Sequence, residues 1–123
     1  MSYDIELTSG APGEVLHMPD RFTDGGTYCV GGTDECHLNV TYNYHDCFKR
    51  VFPATLERGY GHISWLYGKT GAETIDVLRS GVELLGTERG IDYWQATAGN
   101  AGAALARLLS FAEAHPEGVW EGD

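Results

Sequence analysis

Cys29, Cys36, His37, His45 and Cys47 are of the types that hold zinc or attack carbonyl carbon. A structural zinc site takes its ligands in pairs about two to four residues apart, because one tight turn must present both. Cys29 and Cys36 are seven positions apart. Cys36 and His37 are neighbours, and on an extended strand they point to opposite faces. This spacing predicts free thiols and no metal. Nucleophilic catalysis needs a base within hydrogen-bond reach and a third group to orient that base. His45 and Cys47 form the best such pair, with no orienting group around them, so no catalytic residue is assigned and no cofactor is expected.

Gly68-Lys69-Thr70 has the ending of a phosphate-binding loop. That loop requires a glycine five residues earlier, where its amides turn around the phosphates. Position 63 is Ile63, a β-branched residue that resists the turn. Thr70 and Glu73 instead match a capping box, in which hydroxyl and carboxylate each satisfy a free backbone N–H. Lys69, beside the start of that helix, remains a candidate for holding an anion.

Cys36, Leu38, Val40, Tyr42 and Tyr44 alternate with His37, Asn39, Thr41, Asn43 and His45. The two-residue period predicts a strand with an apolar core face and a polar face. Asparagine is depleted in strands, and two on one face mark Asn39, Thr41, Asn43 and His45 as a candidate ligand or partner surface. The aromatic and basic stretch Tyr60, His62, Trp65 and Tyr67 with Arg58 and Lys69 has the mixture that stacks single-stranded nucleic acid, but four bases in an acidic chain favour core aromatics there. From it, Trp65, with Tyr44 from the strand, is the expected partner anchor.

These residues must be placed by the elements around them. Tyr3 to Leu7 and Glu14 to Met18 alternate about a Gly/Pro turn and predict a hairpin ending at Pro19. Gly25-Gly26-Thr27 and Gly31-Gly32-Thr33 bracket Tyr28-Cys29-Val30, which reads as a short strand between turns. Residues 46–52 read as one or two helical turns closed by Pro53. Residues 59–68 form either a strand or a packed loop. A helix begins at Thr70, with Ile75, Leu78, Val82 and Leu85 at helical spacing and Gly86 as its stop. Another begins at Thr97, with Ala101, Leu105, Leu108 and Ala112 in one stripe. It stops at Pro116 and Gly118, and Gly102 permits close packing. Strands before helices predict an α+β fold of one domain over residues 1–123, an antiparallel sheet with two C-terminal helices packed on one face.

With 123 residues and 42% hydrophobic content, the chain suits a single core. No apolar run reaches the roughly 20 residues that cross a bilayer, and Met1 to Glu6 do not resemble a secretion signal. The reading is a soluble cytoplasmic protein with no membrane partner. The net charge of −10 is uneven: residues 1–48 sum to −7, residues 49–69 to +3 and residues 70–123 to −6. Such a field repels nucleic acid and attracts a basic protein surface. Asp20, Asp24, Asp34 and Glu35 are the acidic residues expected to face that partner.

At Gly25-Gly26-Thr27-Tyr28, Gly31-Gly32-Thr33, residues 38–44 and Gly68-Lys69-Thr70-Gly71-Ala72-Glu73, the chain resembles small acidic proteins encoded by bacteriophages and prophages. Tyr93-Trp94, Gly99-Asn100 and residues 118–123 extend the resemblance. It implies a viral protein in the host bacterial cytoplasm, and its setting is that of stoichiometric inhibitors of host defence such as anti-CRISPR proteins. The expected function is therefore non-enzymatic docking on a host nucleic-acid-handling protein. The alternatives are a binder of a nucleotide-like anion and a minor virion or assembly protein. Self-association is left open.

Overall fold

The computed structural model describes residues 2–10, 13–23 and 31–123. The proposed strand at Tyr28-Cys29-Val30, the thiol of Cys29 and the acid Asp24 lie outside the described residues. The elements are β1 (Ser2–Thr8), β2 (His17–Phe22), β3 (Thr33–Glu35), β4 (His37–Thr41), α1 (His45–Phe48), α2 (Gly71–Leu85), α3 (Ala98–Ala114) and β5 (Val119–Gly122). Short 3-10 turns cover Tyr42–Tyr44 and Ile63–Leu66.

β1 is central to an antiparallel sheet of order β4-β1-β5. Its alternation sets the faces, since residues directly opposite across a ladder share one side. Tyr3 pairs with Val40, Ile5 with Leu38 and Leu7 with Trp120, so these side chains form the core face. Asp4 pairs with Asn39 and Glu6 with His37 on the reverse face. The α+β fold expected from the sequence is the fold observed, with α2 and α3 in the C-terminal half packed against each other. Leu78 of α2 and Leu105 and Leu108 of α3 join the core of the sheet.

Three parts differ from expectation. The chain does not finish on a helix, because Val119 to Gly122 return as the third strand of the sheet. β1 takes its ladder partners from β4 and β5. Among the described residues the expected hairpin is reduced to the bridge of Thr8 with Val15, with backbone bonds from the Ser9 amide to the Glu14 carbonyl and from the Leu16 amide to the Leu7 carbonyl, both at 3.0 Å. Pro19 does not stop β2. It sits inside a two-stranded ribbon with β3 whose register shifts between His17 and Phe22, a place where a missing N–H is tolerated.

The α2 capping box forms in full: Thr70 Oγ1 accepts from the Glu73 amide at 3.2 Å, and the Glu73 carboxylate accepts from the Thr70 amide at 3.0 Å. Those hydrogen bonds hold the Glu73 carboxyl below its ordinary pKa. The buried line of α2 is Gly71, Thr74, Leu78, Gly81 and Leu85, so Ile75 and Val82 lie at its margin. The α3 stripe Ala101, Leu105, Leu108 and Ala112 is wholly buried.

Candidate functional site

The polar row of β4 is not a solvated surface. The strand ends at Thr41, where the threonine hydroxyl accepts from the Asn43 amide at 3.2 Å and turns the chain into a 3-10 helix. A hydroxyl that captures a nearby amide offers the backbone an alternative to the ladder. His37, Asn39 and Thr41 are buried and spoken for. Asn39 Nδ2 donates to Ser2 Oγ at 2.7 Å and to Asp4 Oδ1 at 2.9 Å, and His37 Nε2 lies 3.4 Å from the same Asp4 oxygen. Asn43 is exposed, but its amide donates to the Trp94 carbonyl at 2.8 Å. Tyr44 is fully buried and its hydroxyl donates to the Tyr93 carbonyl, so it anchors no partner.

What these residues hold is the connection between α2 and α3. The Tyr93 hydroxyl donates to the Asn39 carbonyl at 3.1 Å and accepts from the Thr41 amide at 3.3 Å. One side chain thus occupies backbone groups that an edge strand would otherwise leave open. Asn100, buried at the start of α3, completes the clamp. Its Oδ1 accepts from the Gly90 amide at 2.9 Å, and its Nδ2 donates to the carbonyls of Asp92 at 2.9 Å and Gln95 at 3.0 Å. The loop so fixed lifts Ile91 fully into solvent and leaves Trp94 exposed, its ring edge-on to Tyr93 at 4.9 Å. Exposed Glu88 and Asp92 flank them, with Arg89 between.

Lys69 and Trp65 serve each other. The Lys69 ammonium donates to the Trp65 carbonyl at 2.7 Å and lies 4.4 Å from the centre of its ring, a cation–π contact. Trp65 is partly buried with Phe52 6.2 Å away, so it is not the free anchor expected, and Lys69 is not a bare cation at the helix start. Of the expected acids, Asp20 and Glu35 are exposed on the β2–β3 ribbon, while Asp34 Oδ1 is 3.1 Å from His17 Nδ1. Burial drives the free thiol of Cys36 up to about 12, which leaves it a protonated core group, and Cys47 is also free. Among the described residues, no three histidines, cysteines or acids gather into a metal site.

A cavity of about 440 Å³ opens where the end of the core face meets residues 55–62. Tyr3 and His62 form its buried floor, Tyr42, His45 and Tyr60 its walls, and Arg58 and Asp123 its rim. His45 is the sole member of the expected polar row that reaches it. Arg58, Tyr60 and His62 come from the aromatic and basic stretch, whereas Tyr3 and Tyr42 arrive from distant strands. Gly61 permits the approach, because a Cβ there would stand 2.2 Å from the Phe52 carbonyl oxygen.

The hydrogen bonds fix the protonation of His62. Its Nδ1 accepts from the Ser64 amide at 3.0 Å, and a backbone amide can only donate. Burial, reinforced by the charge of Arg58 and by His45, lowers its pKa to about 4. At neutral pH the ring is therefore uncharged, with its proton on Nε2, which donates to the Tyr3 hydroxyl at 3.3 Å. Because the unfolded value is the higher one, the unfolded chain binds the extra proton between the two. Stability attributable to His62 is thus complete above about pH 6.5 and is lost as pH falls toward 4. Urea unfolding of the wild type and of His62→Gln at several pH values should show this. The stability difference between them should move against the wild type over that window, and a difference independent of pH would contradict the neutral, buried assignment.

Comparison with known proteins found no family model, no curated protein and no solved structure that matches this chain.

Proposed function

We propose that the protein is a non-enzymatic binding factor of phage origin that docks in the bacterial cytoplasm on a host protein with a basic, nucleic-acid-handling surface. The supporting observation is the internally hydrogen-bonded loop that holds Ile91 and Trp94 in solvent beside Glu88, Arg89 and Asp92. Exposed apolar side chains on a floppy loop cost entropy to order on binding. Here internal hydrogen bonds have already ordered the loop, which is the preorganisation that favours affinity. Tryptophan is also the side chain most enriched among interface hot spots. The charge of −10 supplies long-range attraction to a basic partner, and the resemblance to phage proteins supplies the setting. Anti-CRISPR-type inhibition is the specific form of this reading.

The test is capture from a defence-carrying bacterial host, followed by kinetics with the partner recovered. Association should slow by about tenfold or more as salt is raised from low to physiological ionic strength. Trp94→Ala should weaken binding roughly 30-fold, the equivalent of a hot spot of about 2 kcal/mol. Salt-insensitive association, or a Trp94→Ala and Ile91→Ala pair that binds as the wild type does, would defeat the proposal. Recovery of the protein in purified virions would instead favour the assembly role.

A further inference from the structure

The tyrosine and histidine cavity has polar features that the docking loop does not explain. Tyr3 is 6% exposed, and its hydroxyl oxygen already accepts from His62 Nε2–H. Its own proton has no acceptor among the described residues, on a side chain that forms the cavity floor. A hydroxyl proton that faces the cavity is available to an acceptor placed there. The walls are aromatic: Tyr3 and Tyr42 are 4.5 Å apart between ring centres, His45 and Tyr60 5.6 Å, and His45 and His62 5.5 Å. Faces of this kind stack with planar rings of varied identity.

The charges at the rim are unequal in availability. Asp123 Oδ1 accepts from the Asp4 amide at 3.0 Å. Arg58 is exposed and forms no ion pair among the described residues, whereas Lys49, 5.2 Å from the centre of the Tyr60 ring, is paired with Asp46 at 3.7 Å. The segment that builds this wall, residues 49–69, is the one stretch of the chain with net positive charge. Acids elsewhere act through solvent, where screening limits their reach to about 8–10 Å. The cavity volume is within the range of small-molecule sites, roughly 300–1,000 Å³.

We infer that this cavity binds a nucleoside monophosphate or a ligand of the same chemistry, a planar heteroaromatic ring with a carbonyl-type acceptor joined to one anionic group. The ring lies among Tyr42, His45 and Tyr60, its acceptor takes the Tyr3 proton, and the anion meets Arg58. This site shares neither Ile91 nor Trp94 with the docking loop, so either can fail alone. It also replaces Asn39, Thr41, Asn43 and Lys69 as the place for such a ligand, because those side chains line other parts of the molecule.

Calorimetric titration with the four common ribonucleoside monophosphates and their uncharged nucleosides tests it on the full chain. At least one monophosphate should bind, at least tenfold tighter than its nucleoside. Arg58→Ala should remove that advantage and leave the nucleoside unaffected. Tyr3→Phe should weaken both by about fivefold to tenfold, and Trp94→Ala should change neither. Thermal melting of each variant separates loss of binding from loss of fold. No heat from any monophosphate at millimolar concentration, or an Arg58→Ala variant that keeps full preference for the charged ligand, would overturn the site.

Discussion

Trp120→Ala should be the most destabilising single truncation in the chain, with a loss of about 3–5 kcal/mol in urea unfolding. Trp120 is fully buried and is the largest such side chain among the described residues. It stands opposite Leu7 in the sheet, and its Nε1–H donates to Thr74 Oγ1 of α2 at 2.8 Å. One residue thus joins the third strand to the central strand and to a helix. Truncation removes the ring, leaves a cavity and loosens the short strand that carries it. Two partial variants separate these effects. Trp120→Phe keeps most of the packing and loses the hydrogen bond, at a cost of about 1–2 kcal/mol. Thr74→Val keeps the ring but strands its buried N–H, at a cost of about 1–3 kcal/mol. A Trp120→Ala protein less than about 1 kcal/mol below the wild type would show that β5 contributes little to the fold.

The parts of the structure read correctly from sequence are those with local causes. The α2 capping box lies within Thr70 to Glu73, and the α3 stripe repeats at helical spacing, so each could be seen without knowing its neighbours. The alternation of β1 and of residues 36–41 gave their core faces for the same reason. Alternation then overreached: Tyr42 and Tyr44 continue the period, but Thr41 had already capped a 3-10 turn, and hydroxyl capture of an amide leaves no periodic trace. β5 has four residues, too short for a pattern, though a tryptophan in Val119-Trp120-Glu121 was a usable hint. The polar row is unusual for a strand, and within the fold Asn39, Thr41 and Asn43 are engaged in internal hydrogen bonds while His45 reaches the cavity. Its partners, Ser2, Asp4, Tyr93 and Trp94, are between 35 and 54 positions away. The cavity was half legible, since Arg58, Tyr60 and His62 stood out together, but Tyr3 is 59 positions from His62 and sequence spacing cannot bring it there.

Gly102→Ala opposes two physical effects of different size, and the sign of the result decides between them. In a helix interior, alanine is favoured over glycine by about 1 kcal/mol, so propensity alone predicts a gain. Packing predicts the reverse. A Cβ on Gly102 would lie 1.6 Å from the Gly86 carbonyl oxygen and 3.1 Å from Leu85 Cβ. Gly86 closes α2 at φ +74°, and its amide donates to the Val82 carbonyl at 2.8 Å, so the clash is with backbone at a helix cap and not with the end of a flexible side chain. One turn earlier, a Cβ on Gly99 would meet the Glu88 carbonyl oxygen at 1.8 Å. The start of α3 therefore rests on the backbone that leaves α2, and relief requires the two helices to part. The expected loss is about 3 kcal/mol, and because the same backbone leads into residues 88–97, Trp94-dependent docking should weaken with it. Gly90→Ala is the control: its Cβ would lie 3.8 Å from the Asn100 amide, an ordinary contact, and should change stability by less than about 0.5 kcal/mol. Equal stability of Gly102→Ala and the wild type would mean that the helices are not held in backbone contact, and the rigidity attributed to the docking loop would fall with that contact.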